Sequence, residues 1–179
     1  MDKPFSLACE NNRGPILEIL QPLLADKLSV LEIGSGTGQH AVWFAKHLPK
    51  LRWQTSDLQH NHVGINQWLD AYPSPNLLPP VELDMLGDNW PKADFDCIYS
   101  ANTAHIMPWE AVVNMLAHVG LTLPSNGHFC LYGPMQYQGV IEPQSNRNFD
   151  TSLRQQASHM GIREFHQINR LAAEAGLVL

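Results

Sequence analysis

Three glycines at alternate positions, Gly34, Gly36 and Gly38, follow directly on a short apolar run and lead into a helical repeat. The run Ser29-Val30-Leu31-Glu32-Ile33 has the length and the β-branched content of a strand buried on both faces of a parallel sheet. From Gln39 to Leu48, Ala41, Phe44, Ala45 and Leu48 recur on one face of a helix. Glycine in regular structure costs about 0.5–1 kcal/mol relative to alanine. Three of them in five residues are expected where the backbone turns sharply and comes close to a ligand, which an ordinary strand-to-helix turn does not need. Strand, glycine turn and helix in this order predict an α/β fold with an open, mostly parallel sheet and helices on both faces.

The glycine spacing separates two ligand classes. A dinucleotide turn reads G-x-G-x-x-G and sets a helix N-terminus against a pyrophosphate. Here the pattern is G-x-G-x-G, and Glu32 stands two residues before Gly34. A carboxylate beside the turn is a poor neighbour for a pyrophosphate. It is a good neighbour for the ammonium or sulfonium of S-adenosylmethionine (SAM). The segment Glu32-Ile33-Gly34-Ser35-Gly36-Thr37-Gly38 resembles the acid-and-glycine signature of class I SAM-dependent methyltransferases.

Composition narrows the class. The 179 residues suit a single domain with a real core, and 44% hydrophobic against 16% charged residues is a globular balance. Net charge is −6 with His neutral, where a duplex-binding surface needs a basic excess, so nucleic acid is not an expected partner. No run approaches the roughly 20 apolar residues of a membrane span, and the N-terminus lacks the apolar stretch of a signal peptide. Cys9, Cys97 and Cys130 form an odd, scattered set, expected as free thiols in a reducing compartment, the cytoplasm. His60 and His62 lack partner ligands at metal spacing, so no metal is expected.

Taken in order, residues 1–14 read as a polar loop, and Pro15 opens a helix with Ile16, Leu17, Ile19, Leu20, Leu23 and Leu24 on its apolar face. The polar lead-in at 8–13 is either a solvated surface or a lid whose Asn12 or Arg13 meets the carboxylate of the cofactor's methionine moiety. Residues 51–55 read as a second strand ending at Ser56-Asp57. Asp57, about 20 residues past the glycine turn, stands where a ribose diol is held, or it caps the next helix. A helix over 65–71, a breaker cluster at 72–76 and a third strand near 79–83 follow. Asp84 and Met85 at its end face an adenine, or Asp84 is a turn residue.

A fourth strand over 95–101 runs into Asn102-Thr103-Ala104-His105-Ile106-Met107-Pro108-Trp109. Ligands of open parallel sheets bind beyond the strand C-termini. Asn102 therefore offers an amide, His105 a base and Trp109 an apolar wall. A helix over 110–121 and a strand over 128–132, ending in Tyr132, come next. Residues 139–150 read as a loop containing Ser145 and Asn146, with Asp150 capping a helix from Thr151. A last helix ends near Ala175, with Gly176 closing it, and Leu177–Leu179 begins another strand. No linker divides the chain. One domain is expected, with a lid and helix over 1–27, a cofactor core over 28–132, and an acceptor-side loop and last helix over 133–179.

The set PIL at 15–17, GSGTGQH at 34–40, WQTSD at 53–57, NTAHIMPW at 102–109, YGP at 132–134, SNRNFD at 145–150 and GIRE at 161–164 resembles the methyltransferase-like 26 family. Bacterial members of that family carry the label domain of unknown function 938. The resemblance covers nearly the whole chain. It implies a Rossmann-like class I methyltransferase fold with SAM as cofactor, and it names no acceptor. The family has Arg-Asn before the PIL segment. Here Asn11-Asn12 stand there with Arg13 one place later, so a role for that arginine moves to Arg13. The family also continues into a C-terminal β-hairpin, and this sequence stops at Leu179. A fold without the hairpin leaves a strand edge open.

The mechanism expected from these residues is methyl transfer to a small-molecule acceptor. Glu32, Gly34, Ser35, Gly36, Gly38 and Gln39, with Asn12 and Arg13, would hold the methionine end of SAM. Asp57 would hold the ribose, and Asp84 with Met85 the adenine, with Asn102 beside the cofactor. Trp109, Tyr132, Ser145 and Asn146 would line the acceptor pocket. His105 first and Asp150 second would take a proton from an amine or hydroxyl acceptor; a thiol or carboxylate needs no strong base. The rival readings are a non-catalytic SAM-binding or partner-binding module on the same fold and an NAD-dependent oxidoreductase, which the glycine spacing and Glu32 disfavour.

Overall fold

Strand β1 (Ser29–Ile33) is buried along its whole length, as its apolar run requires. In the computed structural model, which describes residues 3–179, it is the middle of a five-stranded sheet ordered β3-β2-β1-β4-β5. It pairs in parallel with β2 (Arg52–Asp57), Val30 opposite Trp53, and with β4 (Cys97–Ala101), Val30 opposite Cys97. β5 (His128–Tyr132) and β3 (Leu77–Glu82) are the edges. β3 contains Pro79 and Pro80, which lack N–H donors and suit an edge. The β2–β3 register shifts between Gln54 and Ser56. Successive strands run outward from β1 to β3 on one side, and β4 then restarts on the other side. That reversal is the switch point where ligands of open α/β sheets bind, and the glycine turn leaves β1 there.

The chain divides into two compact units, one up to Ser100 together with Leu123–Cys130, the other Ala101–Thr122 with Leu131–Leu179. In the first, α1 (Leu7–Leu23) packs on α2 (Gln39–His47), and α2 on α3 (His62–Ala71), which a short 3-10 turn at Gln59–Asn61 precedes. Under α2, Phe44 meets Trp53 and Tyr99 at ring separations of 5.3 and 5.5 Å, and Trp53 meets Tyr99 at 5.7 Å. Such edge and tilted contacts add to the burial of large rings. Asn76, in the breaker cluster, donates its amide to the carbonyls of Ala45, Leu48 and Leu51. It thereby satisfies acceptors left over at the end of α2.

In the second unit, α4 (Trp109–Thr122) packs against α6 (Phe165–Glu174). A Cβ on Gly120 would stand 2.1 Å from the Ala175 carbonyl, so only glycine allows this approach. α5 (Gln144–Gln156) lies in the chain between the two strands of a parallel pair, β6 (Met135–Gln136) with β7 (Arg163–Glu164).

Four sequence expectations are corrected. The first helix starts at Leu7 rather than Pro15, because Ser6 caps it by accepting from the Cys9 N–H, and Pro15 and Pro22 lie inside it. Residues 144–150 are helical rather than loop, and Asp150 sits within α5 instead of capping a helix at Thr151. Gln144–Asn148, Gln144–Arg147 and Asp150–Arg154 side-chain bonds hold that polar helix together. Leu177–Leu179 forms no strand. No helix among the described residues is long and apolar enough to cross a membrane.

Candidate functional site

The turn after β1 needs its glycines. Gly34, Gly36 and Gly38 have φ of 71°, 57° and 90°, in the left-handed region that L side chains rarely adopt. The Gly36 N–H donates to Asp57 Oδ2 at 2.7 Å, and the Ser35 N–H donates to the Ser56 carbonyl at 2.9 Å. The turn is thus tied to the C-terminal end of β2. A Cβ on Gly36 would meet nothing within 4 Å, whereas one on Gly38 would press on Ile65 Cα at 3.2 Å. Gly36 therefore borders open space, and Gly38 lets α2 approach α3.

Glu32 lies beneath this turn with 2% of its surface exposed. Its Oε2 accepts from Ser35 Oγ and from Trp53 Nε1, both at 3.0 Å. Burial pushes its carboxyl up to about 7, the Asp57 charge adds to that, and the two donated hydrogen bonds oppose it. Near neutral pH the group stands close to half-ionised, so a cation brought beside it would draw out its charge.

Asp57 splits its oxygens between jobs. Oδ1 accepts from the Leu58 N–H and the Asn61 amide, both at 2.7 Å, and Oδ2 holds Gly36. A carboxylate oxygen accepts about two hydrogen bonds, so Oδ2 keeps room for one further donor. Next to it, the Leu83 N–H donates to the Asp57 carbonyl at 3.0 Å, which sets Asp84 and Met85 beside the end of β2. Asp84 Oδ1 accepts from the Leu86 N–H, making a turn of its own, and Met85 is buried.

The N-terminal residues are engaged as a clasp. Gln39 is 1% exposed, and its amide both accepts from the Ser6 N–H and donates to the Ser6 carbonyl. Asn12 Oδ1 meets His40 Nε2 at 2.7 Å, and His40 Nδ1 meets the Tyr99 hydroxyl at 3.2 Å. Burial holds His40 down at about 4, so this ring is neutral and its two nitrogens take one donor and one acceptor role. Arg13 pairs with Glu10 and stacks over the Trp43 ring at 4.0 Å. The structure joins Glu32, Ser35, Gly36 and Asp57 into one network. It places Gln39 and Asn12 in the packing of α1, and it turns Arg13 toward Trp43.

In the second unit, residues from three of the sequence motifs meet. Arg163 donates from Nε to the Ala104 carbonyl at 2.9 Å and from Nη2 to the Met107 and His159 carbonyls at 2.5 and 2.8 Å. The Gly161 N–H donates to the His105 carbonyl, and the Ile162 N–H to Asp150 Oδ1. The His105 ring stands edge-on to Phe149 at 5.1 Å. Burial and the Arg163 charge hold His105 down at about 4, so it is neutral near pH 7. Burial pushes the Asp150 carboxyl up. The hydrogen bond and charge of Arg154 with the Ile162 N–H outweigh that and leave it below its usual range. Asn102 takes φ 59° and donates its N–H to the Tyr132 carbonyl at 2.8 Å. Trp109 lies with its ring 5.8 Å from the Arg163 guanidinium. Ser145 is exposed on α5, and Asn146 donates to the Glu142 carbonyl.

Sequence reasoning missed the supporting residues: Trp53 as donor to Glu32, Asn61 as donor to Asp57 and Arg163 as the strut of the 102–109 segment. Asn61, four residues after Asp57, was the one with a local signal, an amide a helical turn away from a carboxylate.

Solved structures share the fold. An O-methyltransferase family protein from Burkholderia thailandensis superposes at a TM-score of 0.83 with 16% identity, over 96% of this chain and 52% of that one. Human N-acetylserotonin methyltransferase, solved in complex with SAM, gives 0.76 and 16% over 94% and 47%. The YcgJ protein of Bacillus subtilis gives 0.71 and 17% over 93% and 68%. This chain spans about half the length of the first two. A mostly parallel, Rossmann-like sheet with helices is common to all of them. The family model described as Protein of unknown function (DUF938) matches residues 3–179, and the chain belongs to that family.

Proposed function

We propose that this chain binds SAM and transfers its methyl group to a small-molecule acceptor. The observation that carries the reading is the glycine turn at the sheet's switch point, open to solvent at Gly36 and underlain by the buried carboxyl of Glu32. The residues fit the group. Glu32 supplies negative charge for the sulfonium and ammonium, the 34–38 backbone admits close approach, and Oδ2 of Asp57 has capacity for one ribose hydroxyl. We assign Asp84 and Met85 to the adenine. When bound, SAM supplies a methyl carbon made electrophilic by its sulfonium, so the protein's task is alignment and exclusion of water. Fold relatives solved with SAM, with S-adenosylhomocysteine and with apigenin support a SAM-dependent reading and a small acceptor.

On the acceptor side we assign His105, Trp109, Tyr132, Ser145 and Asn146, with Asn102 offering its amide. His105, held at about 4, is a weak base. Asp150 has both oxygens engaged by Arg154 and Ile162. That favours an acceptor already nucleophilic at neutral pH, a carboxylate or thiolate, over an amine or alcohol that must lose a proton. The likeness of the quoted motifs to the methyltransferase-like 26 family fits the same reading.

The test is product formation. The full chain incubated with SAM and a dialysed or whole cell extract is expected to release S-adenosylhomocysteine only with the whole extract. Binding of SAM without any such product would leave a non-catalytic SAM module as the function. A thermal shift with NAD and none with SAM would favour the oxidoreductase reading.

A further inference from the structure

A cavity lies among α1, α2 and α3, with a volume near 590 Å³. That size is within the range of small-molecule sites. Its walls include Arg13 from α1, Trp43 and Lys46 from α2, Trp68 from α3, and Tyr72 just beyond. None of the lining residues belongs to the Gly34–Gly38 turn, Glu32, Asp57 or Asp84.

Two properties of these walls select a ligand. First, they are flat and aromatic. The Trp68 and Tyr72 rings lie 5.5 Å apart at 22°, stacked on one another. The Trp43 ring stands with the Arg13 guanidinium over it. Second, the charge is locally inverted in a chain of net −6. The walls carry the cations Arg13 and Lys46 against one carboxylate, Glu10, which Arg13 already pairs. Lys46 is exposed and in no ion pair among the described residues. Lys3, outside this lining, holds its ammonium 4.3 and 4.5 Å from the Trp68 and Tyr72 ring centres.

We infer that this cavity binds a planar aromatic carboxylate. The ring would pack against the Trp68 and Tyr72 side chains of the cavity wall, and the carboxylate would meet Lys46 and Arg13. An aromatic cation is disfavoured, because it would meet the like charges of Arg13 and Lys46. A saturated ring of the same shape would fill the space without the stacking.

The site is tested by calorimetric titration of the full chain with 2-naphthoate, 2-naphthylmethylammonium and decahydro-2-naphthoate. Saturable one-site binding of 2-naphthoate is expected, at least tenfold weaker for decahydro-2-naphthoate and absent for the ammonium. Lys46→Glu and Tyr72→Ala, both at exposed positions, are each expected to weaken 2-naphthoate at least fivefold without altering the far-UV circular dichroism. Binding of the ammonium as tight as that of the carboxylate, no saturable 2-naphthoate heat, or indifference to both substitutions would overturn the assignment. The titration is repeated with excess SAM. An unchanged 2-naphthoate affinity is expected because Arg13 is turned to Glu10 and Trp43 and no other lining residue is assigned to SAM, and competition would overturn a separate site. Failure of SAM itself to bind leaves the 2-naphthoate result standing.

Discussion

Replacing Glu32 with Gln isolates the buried carboxyl on which the cofactor reading leans. The group is held at about 7 rather than 4.5, and at about 1.4 kcal/mol per pH unit that difference is worth about 3 kcal/mol. The direction follows from which state keeps the proton. Below pH 4.5 the carboxyl is protonated in both states. As pH rises from 4.5 the unfolded chain loses the proton and the folded chain retains it, so stability falls with pH until about 7 and then levels. Gln cannot titrate, and its carbonyl oxygen can still accept from Ser35 and Trp53. Urea unfolding of both proteins at pH 5, 6, 7 and 8 is therefore expected to show wild type losing ground to Glu32→Gln at about 1 kcal/mol per unit between pH 5 and 7. Above that range the difference becomes constant. A difference flat to within about 0.5 kcal/mol across the range would refute a buried carboxyl held at about 7.

Gly38→Ala places its Cβ 3.2 and 3.3 Å from the Ile65 backbone at a φ of 90°. It is expected to cost about 2–4 kcal/mol in urea unfolding. Gly36→Ala meets open space and carries only the left-handed backbone penalty of about 1–2 kcal/mol; equal losses would contradict the packing role given to Gly38. His105, held at about 4 against an ordinary 6.5, contributes stability that is present above pH 6.5 and lost as pH falls toward 4. Its ring proton signals in NMR should stay fixed from pH 8 to 5.5, and a midpoint near 6.5 would show an exposed ring.

The middle of the sheet was readable because buried parallel strands announce themselves as apolar runs: β1 and β4 fall where Val30 and Ile98 predicted them, and the half-buried edge strand β5 falls where Leu131 did. Helix α5 was not, because Leu153 is its one buried residue and its support comes from polar side-chain pairs that leave no apolar period. The start of α1 was hidden by Pro15, which reads as a first-turn residue although it stands mid-helix. The geometry of Glu32, the three glycines and Asp57 was legible because their spacing along one strand and turn fixes it locally. The surroundings of Gln39, Asn12 and Arg13 were not. Their partners Ser6, His40 and Trp43 depend on how α1 docks on α2, which no local pattern records. The convergence of residues 102–109, 145–150 and 161–164 on Arg163 and Gly161 was equally invisible, being a matter of long-range packing.

Calorimetric titration of SAM into wild type and Gly36→Val reports on the glycine turn itself. The valine side chain would project into the open space that Gly36 borders. One saturable site in wild type, lost in Gly36→Val while the circular dichroism spectrum is kept, is the predicted result. No binding to wild type, or equal binding to a folded Gly36→Val, would contradict a SAM site at this turn.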